Sequence, residues 1–243
     1  MKSVWLYVVF CLFLSLQEEF LPGRNLVLGE EKASMETQLK LKGHLMQGKN
    51  MAQYGMDEEA ISEFKKCLEL DPNFPEGHFE LGKAYCRLGR LEESIFEFKK
   101  VLEINPQLAG VHYELVLAYY DTNRIDEGLF LCKEYLKDHP KDGRMHSLTG
   151  VMYIKKKEVP EAISEFREQI ELDHQLEQGY VNLGMALALK ESWDEAIAAY
   201  KKAIELNARN PKAHYQLAAA YERKGLQEEA QKEQALYREL MAR

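Results

Sequence analysis

Ala60-Ile61-Ser62-Glu63-Phe64-Lys65-Lys66 returns as Ala162-Ile163-Ser164-Glu165-Phe166, and again as Ala196-Ile197-Ala198-Ala199-Tyr200-Lys201-Lys202. The offsets are 102 and 34 residues, both multiples of 34. A fixed period of this length means that one small structural unit is repeated, and it sets the register for every later assignment. With the unit begun at Leu41, the others begin at Pro75, Ala109, Gly143, Glu177 and Pro211. The repeats are therefore 41–74, 75–108, 109–142, 143–176, 177–210 and 211–243, the last one residue short and none broken by an insertion.

Within that register, the eighth place holds Gly48, Gly82, Val116, Gly150, Gly184 and Ala218. The twentieth holds Ala60, Ser94, Gly128, Ala162, Ala196 and Ala230. Small residues at both places let two helices approach closely. The twenty-fourth carries Phe64, Phe98, Cys132, Phe166, Tyr200 and Gln234, a knob that fills the space beside them. Gly55, Gly89, Asn123 and Gly225 stand between the helices and accept the left-handed backbone that ends a helix. Asp71-Pro72, Asn105-Pro106 and His139-Pro140 stop the second helix of the first three units.

These residues resemble the tetratricopeptide repeat over about 200 of the 243 residues. The resemblance implies an all-α fold, a right-handed superhelical α-α solenoid of six tandem helix hairpins. Repeat three departs most, with Val116, Gly128, Cys132 and Tyr135. The expectation there is compensation, a bulky Val116 and Tyr135 accommodated by the small Gly128, with local looseness of that repeat as the alternative.

Charge follows the same period. Second helices open on acids, such as Asp57-Glu58-Glu59 and Asp194-Glu195, and carry bases later, such as Lys65-Lys66, Lys99-Lys100 and Lys201-Lys202. Both placements are expected to complement the helix dipole. The net charge of -8 is thus largely a repeated helix start, and it argues against a nucleic-acid surface. At the C-terminal end Gln234 replaces the aromatic knob, so the last unit is expected to cap itself, with Leu236, Tyr237 and Leu240 left as a surface for self-association.

His44, His78, His112, His146 and His214 share the fourth place, and Tyr180 takes it in repeat five. Such a row reads either as metal ligands or a pH sensor, or as rings covering each helix pair. Successive units stand on the order of 10 Å apart, whereas ligands converge to about 2 Å from one ion. Packing is the reading taken, and no metal or other cofactor is expected. Of the four cysteines, Cys67 and Cys132 fall at interior places and Cys86 on a first helix, with no zinc-like spacing. A Cys67–Cys86 bridge is left open for an oxidising compartment. No phosphate loop or nucleophile elbow stands outside the repeats, so a non-catalytic chain is expected.

Residues 1–20 differ from the rest. Lys2 precedes an apolar run from Val4 to Leu16, which reads as a signal peptide or short signal-anchor, followed by a linker over 21–40 running into the first helix. No small-x-small cleavage site follows cleanly, and the alternative is a start at Met35 in a cytoplasmic protein. Membrane contact is expected through residues 4–16 only.

The family resemblance implies that first helices line a concave groove which receives peptides, through the second, fifth, ninth, twelfth and thirteenth places. Those places supply Lys49, Phe79, Lys83, Arg87, Tyr113, Leu117, Tyr120, Arg144, Val151, Ile154, Lys155, Val181, Met185 and Tyr215 as the expected partner-binding residues. The full set of groove places holds eight bases against three acids, with an apolar centre from Phe79 to Met185. A protein partner is expected, bringing apolar anchors with acidic flanks or a free carboxyl end. Single-stranded RNA is the alternative ligand of a basic groove, disfavoured by the acidic net charge. The carboxylate clamp by which some family members grip chaperone tails is broken here at Ser147, Val151 and Gln216. The Asn ladder of sugar-transferase repeats is replaced by Met46, Glu80, Glu114, Leu148, Asn182 and Gln216.

Overall fold

The computed structural model describes residues 22–242, with side chains from Ser34 onward. The readings placed on residues 1–20 lie outside the described residues. Twelve helices, two to a repeat, make up the secondary structure there. They are α1 (Pro22–Gln53), α2 (Asp57–Leu70), α3 (Pro75–Arg87), α4 (Leu91–Ile104), α5 (Val111–Asp121) and α6 (Ile125–Asp138). The remainder are α7 (Gly143–Lys156), α8 (Val159–Leu172), α9 (Glu177–Leu189), α10 (Trp193–Leu206), α11 (Pro211–Arg223) and α12 (Gln227–Met241). The segment expected as a linker into the first helix is itself helical from Pro22.

Two compact units divide the chain, one ending at Leu88 and the other beginning at Gly89. In the first, α2 packs on both α1 and α3. In the second, each helix from α4 to α12 packs on the next, and contacts also join α5 to α7, α7 to α9 and α9 to α11. First helices therefore form one continuous layer of this unit.

Local chemistry places the helix ends. Pro75 and Pro211 open α3 and α11, where a missing N–H costs nothing. Asp142 and Asn210 cap α7 and α11 by accepting from Met145 N at 3.0 Å and Ala213 N at 3.1 Å. At the other end, Asp71, Asn105, Asp173 and Asn207 each accept from the backbone N–H two residues on, at 3.0–3.1 Å, turning the chain out of the second helix. All four stand at the thirty-first place. The fifteenth place is left-handed in every repeat, at Gly55, Gly89, Asn123, Lys157, Glu191 and Gly225, with φ between 60° and 76°. The backbone demands that conformation whether or not the residue favours it.

The lysines of the second helices do not serve the helix dipole as expected, since the last turns of α2, α4 and α10 carry no base. Lys66 instead pairs with Glu63 at 2.6 Å, Lys100 with Glu103 at 2.6 Å and Lys202 with Glu205 at 2.8 Å, each one turn away.

The core repeats as a pair between the eighth and twenty-fourth places. A Cβ on Gly48, Gly150 or Gly184 would lie 2.5 Å from the ring of Phe64, Phe166 or Tyr200. The missing side chain is the ring's seat, and burying a ring of this size stabilises by about 2–3 kcal/mol. Repeat three inverts the pair, with Val116 and Cys132 both fully buried. The compensation expected at Gly128 is corrected: a Cβ there would collide with Met152 of α7, not with Tyr135. Volume is exchanged within the eighth and twenty-fourth pair, while Gly128 admits a side chain from the next repeat. Cys67 and Cys132 are buried free thiols, their pKa pushed up to about 11 by burial, and no disulfide joins Cys67 to Cys86.

Candidate functional site

The continuous layer of first helices presents the places expected to face a partner. Leu117 on α5, Leu189 on α9 and Tyr215 on α11 are 43%, 59% and 53% exposed, although they are large apolar residues. Val151, Ile154 and Met185 are half-buried beside them. Val181 leaves the set. It is fully buried against Ala203 and Ala213, because two alanines at those places let the neighbouring helices close over it.

The aromatic members are held in place. Arg144 lies 4.6 Å from the centre of the Tyr113 ring, and Lys155 lies 4.0 Å from that of Tyr120. Lys155 also donates to the Tyr120 carbonyl at 2.6 Å. The Tyr113 hydroxyl donates to Asp142, which also accepts from Tyr135 at 3.1 Å. Burial pushes the Asp142 carboxyl up, but the hydrogen bonds from Tyr113, Met145 and Tyr135 outweigh it and hold the group below the usual carboxylate range. Burial and that carboxylate push the Tyr113 hydroxyl upward.

Charge on the first unit is more balanced than the first-helix places suggest. Lys49 and Lys83 both pair with Glu80, at 3.2 and 3.1 Å, and Lys83 also sits 5.3 Å from the centre of the Phe79 ring. Arg87 donates to Asp57 at 2.6 Å. Glu80 stands at the sixth place and Asp57 at the start of α2, so reading only groove places overlooked both acids.

Hydrogen bonds hold four of the five histidines of the row, in pairs at His146 and His214. Nδ1 of His44, His146 and His214 lies 2.6, 2.7 and 2.6 Å from Glu63, Glu165 and Glu233, each 19 residues on. Nε2 of His78, His146 and His214 lies 3.0–3.1 Å from the backbone carbonyl of Pro72, Pro140 or Ala208, six residues back in the preceding repeat. The rings of His78, His146 and His214 therefore staple their hairpins to the loop before them, and those of His146 and His214 tie the two helices of the hairpin as well. Both nitrogens of His146 face acceptors, which favours the doubly protonated ring. Burial lowers its pKa, but Glu165, the Pro140 carbonyl and the nearby Glu168 outweigh burial and hold it above the ordinary value. Glu63, deeply buried, is kept below the carboxylate range by the Lys66 hydrogen bond, with a further one from His44, against the effect of burial. No group of three His, Cys, Asp or Glu among the described residues could hold a metal ion.

The staple had a sequence signal. The twenty-third place reads Glu63, Glu97, Leu131, Glu165, Ala199 and Glu233. Glutamate there accompanies histidine at the fourth place in repeats one, two, four and six, and alanine accompanies Tyr180. Repeat three alone sets a histidine, His112, beside an apolar partner place.

Family models match most of this periodic region. The model described as TPR repeat covers residues 51–89, 82–123 and 186–225, and that described as Tetratricopeptide repeat covers 113–173. The chain belongs to the tetratricopeptide repeat family. No curated protein matches it in sequence. Among solved structures, PilF of Pseudomonas aeruginosa is 17% identical with a TM-score of 0.68, covering 85% of this chain and 99% of that one. MamA (41 to the end) from Desulfovibrio magneticus RS-1 is 22% identical with a TM-score of 0.64, covering 70% and 96%. YrrB, described as a TPR protein with an unusual peptide-binding site, is 20% identical with a TM-score of 0.60, covering 75% and 94%. At these identities the likeness is one of fold.

Two further features of this tetratricopeptide repeat chain escaped sequence reasoning. Phe96 and Phe130, both at the twenty-second place on second helices, are 58% and 67% exposed. That place holds Ser62, Ser164, Ala198 and Lys232 in other repeats, so the departure from register was the available signal. A cavity of about 700 Å³ opens where the α6–α7 and α8–α9 loops meet, lined by Lys141, Asp142, Arg144 and Gln169 among others. Gln169 takes the place held by Cys67, Val101 and Ala203 elsewhere, and its Oε1 is buried without a hydrogen-bond partner. Among the described residues no helix is long and apolar enough to cross a membrane.

Proposed function

We propose that the chain is a non-catalytic interaction scaffold that captures a peptide of a partner protein along its layer of first helices. The observation that carries this reading is the exposure of Leu117, Leu189 and Tyr215 on the first helices α5, α9 and α11 of one layer, with Arg144 and Lys155 on α7 of that layer. Large apolar residues left in water along one layer of helices are what an interaction surface offers, which supports this reading. The cations favour a partner with acidic flanks or a free carboxyl end. The long helical segments all serve the repeats, which fits a scaffold without chemistry of its own. The sequence of residues 2–16 supports an exported or membrane-tethered form, and N-terminal sequencing of the natural protein tests that.

Photo-crosslinking in the native host tests the capture face. A photoreactive phenylalanine at 117, 189 or 215 is expected to give adducts to one shared partner, and one at 96 or 130 none. Adducts from 96 and 130 alone would move the site to the second-helix face, the reading that Phe96 and Phe130 otherwise favour. Tyr113 is a poor probe, because its removal also breaks the Asp142 network.

A further inference from the structure

A smaller cavity, of about 290 Å³, opens on the first-helix layer between α9 and α11, with Ala188, Leu189, Trp193, Ala219 and Arg223 in its lining and Tyr200 among them. The same register places two repeats earlier show a ring and a cation together. Tyr120 holds the twelfth place of repeat three and Lys155 the thirteenth of repeat four, 4.0 Å from the ring centre. Moving on by two repeats puts Ala188 at the twelfth place and Arg223 at the thirteenth. The cation is kept and the ring is replaced by a methyl group. Arg223 makes no ion pair with a carboxylate among the described residues.

The second observation is chemical. Tyr200 fills the place taken by Phe64 and Phe166 in repeats one and four, and it is 1% exposed. Its hydroxyl, absent from those phenylalanines, is buried without a hydrogen-bond partner. Native structures rarely leave such a group unpaired, since its desolvation is uncompensated.

We propose that this cavity binds a tyrosine side chain of the captured peptide. Its ring stacks beneath Arg223 as Tyr120 lies beneath Lys155, and its phenolic oxygen accepts a hydrogen bond from Tyr200. Phenylalanine would offer the ring but no acceptor, and tryptophan carries only a donor. Leucine would fill space without the π face that Arg223 requires. This assignment rests on the first-helix layer being the capture face, but its test needs no knowledge of the partner.

The probes are p-cresol and toluene, the tyrosine and phenylalanine side-chain analogues, titrated into the full chain and followed by amide and methyl NMR shifts. Both should shift Ala188, Leu189 and Ala219, and Arg223→Gln should weaken both several-fold. Tyr200→Phe, a residue repeats one and four already carry, should lower the p-cresol-to-toluene affinity ratio roughly fivefold. Ala188→Tyr, checked for helicity, should abolish binding of both by placing a ring as repeat three does. An unchanged ratio in Tyr200→Phe, or shifts scattered away from α9 and α11, overturns the proposal. Crosslinks from 96 and 130 alone, with p-cresol binding retained here, would instead overturn the capture face and leave the cavity standing.

Discussion

Repeats three and four adjoin in the chain, share one register and solve the same packing problem with opposite residues. Repeat four seats the Phe166 ring on Gly150, where repeat three sets Val116 against Cys132. Repeat four ties His146 to Glu165 and to the Pro140 carbonyl. Repeat three has Leu131 where that glutamate would stand, and its His112 lies against Tyr135, ring centres 4.7 Å apart. Repeat four turns out of its second helix through Asp173, whereas repeat three uses His139, whose ring stacks on Tyr135 at 4.2 Å. In place of the staple, Tyr113 and Tyr135 reach forward to Asp142, the cap of α7. The comparison teaches that the backbone fixes where a junction must be made, and leaves open the chemistry that makes it.

The largest expected effect probes the two glycines. Gly150→Ala drives a methyl into the rigid Phe166 ring and should cost about 2–3 kcal/mol. Gly128→Ala meets only the end of Met152, which can swing aside, and should cost under about 1 kcal/mol. Because repeat arrays do not always unfold as one unit, hydrogen exchange resolved by repeat is the measurement. Equal losses would show that repeat three is as rigidly packed as repeat four.

Next come the two histidines. Glu165→Ala leaves His146 without its carboxylate and should destabilise by about 2 kcal/mol, while Leu131→Glu should give His112 the missing partner and stabilise. Their pH dependences run in opposite directions. The pKa of His146 is raised on folding, so its stabilisation is full below the unfolded value, about 6.5, and is lost as pH rises through the folded value. The pKa of His112 is lowered, by burial and then by His139, so its penalty is absent above that unfolded value and grows as pH falls through it. Denaturant titrations between pH 5 and 8 should therefore show His146→Gln removing a loss on the alkaline side and His112→Gln removing one on the acid side. Slopes of the same sign would break the comparison.

The smallest effect lies at the turns. Lys157 in repeat four holds a left-handed backbone at φ 66° with a residue that resists it, and Asn123 in repeat three holds one at φ 60° with a residue that tolerates it. Lys157→Gly should stabilise by about 0.5–1 kcal/mol and Asn123→Gly by no more than about 0.3 kcal/mol, read from thermal midpoints.

Much of this was legible in sequence because it depends on neighbours at fixed spacing. The repeat starts, the left-handed Gly55, Gly89, Asn123 and Gly225, the small eighth place and its aromatic partner all follow from a 34-residue phase. The expected site was legible as a set of places and less so as a surface. Val181 went into the core because its fate depends on Ala203 and Ala213 in other helices. Lys49, Lys83 and Arg87 met Glu80 and Asp57, acids outside the groove places. The Gly128 reading failed for a similar reason, since the side chain that occupies its space comes from the next repeat.

The sequence by itself determined the period, the helix pairs and the family, because a local pattern repeated six times leaves little freedom in how each unit folds. Only the tertiary structure decided which side chains those units spend on one another and which they leave for a partner. Exposure of Leu117 and Leu189, burial of Val181, the unpaired hydroxyl of Tyr200 and an Arg223 guanidinium with no carboxylate among the described residues are set by packing between helices far apart in the chain. A repeat read alone carries no record of its neighbour's reach.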